Sequence, residues 1–272
     1  MIKLSDRLQT IADRIEQSET MADIGTDHGF LPIYLWQTGK CPQVILTDVS
    51  EASLAKAEEN YRKFAERIAD DKIDGSSISG SSADDLKDGF QFRAGDGLTI
   101  LKPYEVDTVV IAGMGGKLIK DILAANIELT RSFKKFILQP RTGQAELRKW
   151  LCDNDFAIIS EDVAEEGNYI PEIITAVSPA LDRSKRLSMA EEFADLLAGC
   201  NLGDIIYKIP PWIVDAGGPV EEFLTRNIEK EKNILNNVML AKERNLEQEQ
   251  QICDDIYYLK GLLKEYKNGN QC

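Results

Sequence analysis

The sequence is short of positive charge. Its 272 residues hold 32 Lys and Arg against 46 Asp and Glu, a net charge of −14. Phosphate binding normally shows as a basic field, so this deficit argues at first sight against a nucleic-acid partner. Close cysteine pairs are also lacking. Cys41, Cys152, Cys200, Cys253 and Cys272 lie far apart, which excludes a CxxC metal or redox motif and fits reduced thiols in a cytoplasmic protein. No apolar run approaches the roughly 18–20 residues that span a bilayer. The first residues, MIKLSDRLQTIADRI, hold no uninterrupted apolar stretch of the kind a secretory signal needs. No membrane partner and no obligatory metal are expected, and a monomer is the favoured state. Compositional bias is missing too. With 43% hydrophobic and 29% charged residues, collagen, extended disorder and a disulfide-built mini-protein are excluded.

What is present is alternation. Leu4, Leu8, Ile11, Ala12 and Ile15 form one helical stripe. Strands are expected at 21–24, 43–47, 90–93, 106–112, 135–139, 157–161 and 173–177, with helices at 50–69, 117–125 and 145–154 and one opening near Pro32. Strand and helix alternate over about 180 residues, the pattern of a doubly wound α/β sheet. The last two strands are joined by a short acidic segment. They are expected to form a hairpin, with one antiparallel strand at the sheet's edge. Residues 70–89 hold five serines and six aspartates against two lysines and are expected to be a mobile surface insertion. A short helix is expected at 187–198. From Val220 no Gly or Pro occurs until Gly261. Phe223, Leu224, Ile228, Leu235 and Val238 make one apolar seam; Leu246, Ile252, Ile256, Leu259 and Leu263 make another. A register slip near Arg244-Asn245 favours an antiparallel helical hairpin, or coiled coil, over one rod. Two domains are expected, 1–180 and 181–272.

In such a sheet, ligands bind beyond the carboxyl ends of the strands. Three of those ends carry unusual residues. Asp23-Ile24-Gly25-Thr26-Asp27-His28-Gly29 places acids, glycines and the only histidine in one loop. Asp48 ends the second strand, 23 residues after Gly25, where an acid can bind a ribose diol; Val49 follows it. Gly95-Asp96-Gly97 offers an acid for an exocyclic amine. The first loop is not the G-x-G-x-x-G that seats a pyrophosphate on a helix N-terminus. Its acids would repel a diphosphate and attract a sulfonium and an ammonium. S-adenosylmethionine is therefore favoured over a nicotinamide dinucleotide. The loop Ala112-Gly113-Met114-Gly115-Gly116 follows the fourth strand and leaves room for a flat substrate.

Residues 23–32, DIGTDHGFLP, closely resemble the DIGSDHAYLP motif of the bacterial tRNA (adenine(22)-N(1))-methyltransferase (TrmK) family. Residues 111–116, IAGMGG, and 138–140, LQP, match it outright. Thr26, Gly29 and Phe30 depart from the family's Ser, Ala and Tyr. The resemblance covers roughly residues 1–180. It implies a Rossmann-like class I methyltransferase sheet of seven strands, the last antiparallel, with a helical C-terminal domain. It also implies S-adenosylmethionine-dependent methylation of N1 of an adenosine in tRNA. The cofactor candidates are Asp23, Gly25, Thr26, Asp27, His28, Asp48, Val49, Asp96, Gly97, Ala112 and Gly113. Asp27 and His28 are the candidates for a chemical role. The substrate candidates are Phe30, Met114, Gly115, Gly116, Lys117, Gln139, Pro140 and Arg141. Another RNA or a small molecule as acceptor, or a non-catalytic RNA-binding module, are the alternatives.

The charge deficit is uneven. Residues 117–149 hold eight basic side chains (Lys117, Lys120, Arg131, Lys134, Lys135, Arg141, Arg148 and Lys149) and three acidic ones. Residues 150–172 hold seven acids and no base. A basic stripe beside the substrate loops is the expected route for RNA, with the helical hairpin positioning it.

Overall fold

A computed structural model describes residues 2–73, 89–179, 204–241 and 243–269. Helix α1 (Asp6–Asp13) starts at Ser5, whose hydroxyl accepts from the Leu8 amide. The expected strands follow as β1 (Met21–Ile24), β2 (Val44–Asp48), β3 (Phe90–Ala94), β4 (Thr108–Met114), β5 (Lys135–Pro140), β6 (Ala157–Val163) and β7 (Glu172–Val177). Between them run α2 (Phe30–Gln37), α3 (Glu51–Ile73), α4 (Gly116–Ala124), α5 (Ile127–Arg131) and α6 (Gln144–Asp153). The expected insertion begins later than residue 70, because α3 continues through Ile73. Its remainder, 74–88, lies outside the described residues, as does the helix expected at 187–198.

The seven strands form one sheet in the order β3-β2-β1-β4-β5-β7-β6. β3, β2, β1, β4 and β5 are parallel, so their carboxyl ends share one rim. β7 runs antiparallel to both β5 and β6. The antiparallel strand is therefore not the edge strand, as the sequence led one to expect. It is inserted between β5 and β6, and β6 takes the edge. The strands' apolarity explains the choice: β7 is buried along its whole length, whereas Ile159 and Ser160 of β6 are only partly covered. The β6 edge is capped where the Val163 amide donates to Gly217 O at 2.9 Å, which blunts an otherwise open ladder.

Alternating strand residues face two cores. Ala22, Ile24, Val109, Ile111, Phe136 and Leu138 pack with Ile119, Leu123, Leu147 and Leu151 of α4 and α6. Met21, Val44, Leu46, Val110 and Ile137 pack with α1 and α2 on the other face. A third cluster joins Val163 and Ile170 to the C-terminal helices. There α7 (Ile205–Lys208) and a 3-10 turn at Pro211–Asp215 come first. Then come α8 (Val220–Met239) and α9 (Leu246–Gly269). Lys267 near the end of α9 pairs with Glu221 at the start of α8 at 2.8 Å, which makes the pair an antiparallel hairpin. Leu246 is exposed and does not join the seam. The junction expected at residues 180–181 lies outside the described residues. Among the described residues no helix is long and apolar enough to cross a membrane.

Candidate active site

The rim at the carboxyl ends of β1 and β4 encloses a cavity of about 340 Å³. The end of β1 supplies Asp23, Gly25, Thr26, Asp27, His28 and Phe30; the end of β4 supplies Ala112, Gly113 and Met114; Arg141 follows β5. Gly25 has φ +76°, and a Cβ there would lie 1.9 Å from Met114 Cε. Only glycine combines that backbone with so close a neighbour. The loop thus turns sharply enough for its backbone to line the cavity, with Met114 laid across it.

Asp23 is buried and accepts a 2.6 Å hydrogen bond from the Thr26 hydroxyl. Burial pushes its carboxyl up to about 6, opposed by the Thr26 bond and the Arg7 charge and assisted by Asp48. Asp27 is exposed, with Oδ2 3.2 Å from His28 Nε2 and Oδ1 3.9 Å from Lys56 Nζ. The His28 ring stacks on Phe30, with centroids 5.4 Å apart and planes 16° apart. These two rings and Asp27 form the mouth; Asp23 forms the inner wall.

The other candidates lie on the same rim outside this wall. Asp48 Oδ1 accepts from the Ser50 amide at 2.7 Å, so half of its carboxylate shapes the start of α3. Val49 is exposed. Asp96 is exposed, and Gly97 begins a 3-10 turn. Gly115 caps α4, and Lys117 is exposed in its first turn. Gly116 has a packing reason of its own: a Cβ there would lie 2.3 Å from Gly143 O. Gln139 and Pro140 are buried in β5. Gln139 Oε1 accepts from the Gly113 amide at 3.1 Å, so this residue sets the loop after β4 from beneath.

The basic stripe does not form. Arg148 is fully buried, its guanidinium bonded to Glu161 at 2.6 and 2.9 Å and also to Glu172. Lys135 is buried against Glu19 at 2.7 Å, and Lys134 pairs with Asp107 at 2.5 Å; both sit at the amino end of β5. Lys149 pairs with Asp153 at 3.0 Å, and Arg131 lies 3.8 and 3.9 Å from Glu128 and Asp155. Lys120 lies 3.7 Å from Asp121; Lys117 in the first turn of α4 and Arg141 after β5 remain near the rim. Neighbours in sequence were spread over opposite ends and faces of the sheet, which a charge count cannot see.

A second, larger groove of about 800 Å³ adjoins the cavity, and Arg141 lines both. Lys208 of α7 and Arg226 and Lys230 of α8 also line it. The β6–β7 loop ties the two spaces together. Glu166 bonds Arg7 Nε at 2.7 Å, the Tyr169 hydroxyl donates to Arg141 O at 3.2 Å, and Arg226 donates to Asn168 O at 2.6 Å. Arg7, Glu166 and Tyr169 carry no local motif; only the fold brings them here.

Strand order, inserted β7 and the acid-walled cavity beside β1 define a Rossmann-like, class I methyltransferase. A family model described as a methyltransferase domain matches residues 4–83 and 76–174. The chain belongs to the tRNA (adenine(22)-N(1))-methyltransferase family. It is 32% identical to that enzyme from Bacillus subtilis (strain 168) over 207 residues, 76% of each chain. The crystal structure of the B. subtilis m1A22 tRNA methyltransferase TrmK superposes with a TM-score of 0.71 at 25% identity, over 97% of this chain and 100% of that one. A Streptococcus pneumoniae relative solved in complex with S-adenosyl-L-methionine gives 0.69 at 25% identity, over 96% and 100%.

Proposed function

We propose that this chain uses S-adenosylmethionine to methylate N1 of an adenosine in tRNA, at position 22 by its family. The observation that carries the reading is the cavity at the β1 and β4 ends, whose walls are the DIGTDH and IAGMGG segments. The site fits the cofactor's chemistry. Among the described residues buried Asp23 has one direct hydrogen-bond partner, the Thr26 hydroxyl, with Arg7 further off on the same cavity wall, an arrangement that leaves room for a cationic ligand. The glycine-turned loop leaves backbone rather than side chain at the wall. Asp23 would hold the ammonium end, Asp48 and Val49 the ribose, and Asp96 and Gly97 the adenine. Bound there, the cofactor supplies an electrophilic methyl group on sulfur.

The acceptor nitrogen has a free lone pair near neutral pH, so the chain needs no base to unmask it. What it must do is extrude the adenosine from its base pair and align it. His28 and Phe30, already stacked on one another, offer a flat face at the mouth, and such stacking contributes about 1–3 kcal/mol per base. Met114 packs from the other side. Methylation leaves positive charge on the adenine ring. Asp27, exposed at the mouth, accepts from N6 and stabilises that charge as it develops. His28 holds Asp27 in place through the 3.2 Å contact.

Residues 1–180 form the methyltransferase domain in this reading, and residues 181–272 position the RNA. The tRNA follows the groove whose basic lining is Lys208, Arg226, Lys230 and, alone of the basic residues of 117–149, Arg141, with Glu146, Glu172 and Glu231 also on its walls. The protein acts as a cytoplasmic monomer without a metal. Incubation with methyl-labelled S-adenosylmethionine and unmodified tRNA, followed by nucleoside mapping, tests the whole. Label in 1-methyladenosine at position 22 is the expected outcome; cofactor binding without label in tRNA would assign another acceptor.

A further inference from the structure

Strand β4 carries an extra residue where it reaches the cavity. Ala112 pairs with Gln139 of β5 and Met114 pairs with Pro140, so Gly113 has no pairing residue between them. It holds φ +78°, and a Cβ there would meet nothing within 4 Å. The backbone turn of a bulge, not crowding, asks for glycine. One extra residue reverses the facing of the residues after it. Val110 and Ala112 pack on the face covered by α1 and α2, and strict alternation would send Met114 there too. Met114 packs instead on the opposite face, with Val109 and Ile111. There it lies across the cavity, where a Cβ on Gly25 would be 1.9 Å from its Cε.

A bulge disrupts the ladder locally, and Pro140 opposite has no amide to offer. The Gln139 side chain closes the gap. Its Oε1 accepts from the Gly113 amide at 3.1 Å, and its Nε2 donates to Pro140 O at 3.0 Å. Backbone pairing resumes one step later, where the Arg141 amide donates to Met114 O at 2.7 Å. Gln139 is 1% exposed and lies behind the residues that line the cavity. Its influence on an acceptor therefore passes through the loop it holds.

We propose that Gln139 is a positioning residue for methyl transfer: its side-chain amide holds the Gly113 bulge, and the bulge turns Met114 onto the cavity, where it backs the acceptor base. The proposal rests on the cavity serving methyl transfer to a base in RNA. It makes alignment of the acceptor depend on a buried amide of β5 that touches neither substrate nor cofactor. Alignment is the step most sensitive to such a support, because a displacement of about 1 Å can cost roughly 100-fold in rate.

The test measures kcat and KM for unmodified tRNA at saturating S-adenosylmethionine, at a temperature where melting curves show every variant folded. Gln139→Met keeps the volume and removes both bonds. It lowers kcat by roughly 10–100-fold and leaves KM for tRNA within about threefold. Gln139→Glu keeps an acceptor for the Gly113 amide, with Arg7 NH1 3.4 Å from that oxygen to answer its charge, and recovers most of the rate. Met114→Ala lowers kcat by itself. Combining it with Gln139→Met lowers kcat no further, because the two residues act as one unit. Multiplied losses in the double variant would show that Gln139 acts by another route and overturn the proposal. A lower melting temperature with unchanged kcat would make Gln139 merely structural, and a raised KM with unchanged kcat would make it an RNA contact; either result overturns it. A wild type that transfers no methyl to tRNA would refute the functional reading itself, and this inference with it.

Discussion

Two places in this sheet bury carboxylates, and they do so in opposite ways. Behind β6 and β7, Glu161 and Glu172 share the guanidinium of Arg148, which also donates to Tyr207 O and Lys208 O at 3.0 Å each. At the end of β1, Asp23 has the Thr26 hydroxyl and a more distant Arg7. Burial raises the carboxyl pKa in both places, at Glu172 and at Asp23, but only the first is answered by a cation in direct contact. The first arrangement is complete: it locks α6, β6, β7 and α7 together and has no donor to spare for a ligand. The second is incomplete without one. A buried charge with all its partners marks structure, and one with too few marks a binding site.

The sharpest way to break this contrast is to remove the central cation. Arg148→Met strands two buried glutamates and is expected to destabilise the protein by about 3–5 kcal/mol, read by chemical denaturation. A loss below about 1 kcal/mol would mean that the network is not a structural lock. The matching change at the other site has the opposite sign for stability. Asp23→Asn keeps a carbonyl acceptor for Thr26 and removes the buried charge. The folded-state carboxyl sits at about 6 against an ordinary 3.8, so its ionisation costs the fold stability as pH rises through 6. At pH 7.5 the variant should therefore gain up to about 3 kcal/mol, with the gain gone below pH 4. Its affinity for S-adenosylmethionine should fall by about 100-fold. A variant both more stable and cofactor-blind sharpens the comparison; one that loses stability at pH 7.5 breaks it. Gly25→Ala comes next. It forces a side chain into φ +76° and onto Met114, at a cost of about 1–2 kcal/mol. Because Met114 can swing away and the loop cannot, cofactor affinity should fall more than the melting temperature.

The acid-walled site was legible because its residues are contiguous. Asp23 to Phe30 and Ala112 to Met114 are single loops, and a loop's members stay together whatever the fold does. The strand count and the antiparallel last strand were legible from alternation and from the short link between β6 and β7. The place of β7 was not: a hairpin forms equally well with either strand outermost, and the choice depends on what covers each face. The Arg148 network and the Arg7 contacts were invisible for the same reason. Arg148 and Glu172 are 24 residues apart, and Arg7 and Glu166 are 159 apart. Nothing local in either segment announces the partner. Counting Arg148 and Lys135 as surface charge followed from base rates of exposure, which fail where an ion pair is built into the core.

The smallest change tests whether Thr26 is to Asp23 what Arg148 is to the glutamates. Thr26→Val preserves shape and removes the hydroxyl that donates to Asp23 at 2.6 Å. Burial and, more weakly, Asp48 from β2 push the Asp23 carboxyl up, while that bond and Arg7 from α1 hold it down. Without it the carboxyl must rise above about 6. In the proposed function only ionised Asp23 binds the ammonium, so the pH at which S-adenosylmethionine affinity is half lost should move upward, toward neutrality. The shift corresponds to about 1 kcal/mol, the ordinary worth of one buried hydrogen bond. Above pH 8 the variant and the wild type should bind nearly alike, since both carboxyls are then ionised. A uniform loss of affinity at every pH would show instead that the hydroxyl contacts the ligand directly. An unchanged profile would show that the guanidinium of Arg7, and not Thr26, keeps Asp23 charged, and would bring the two buried sites closer in design than their geometry indicates.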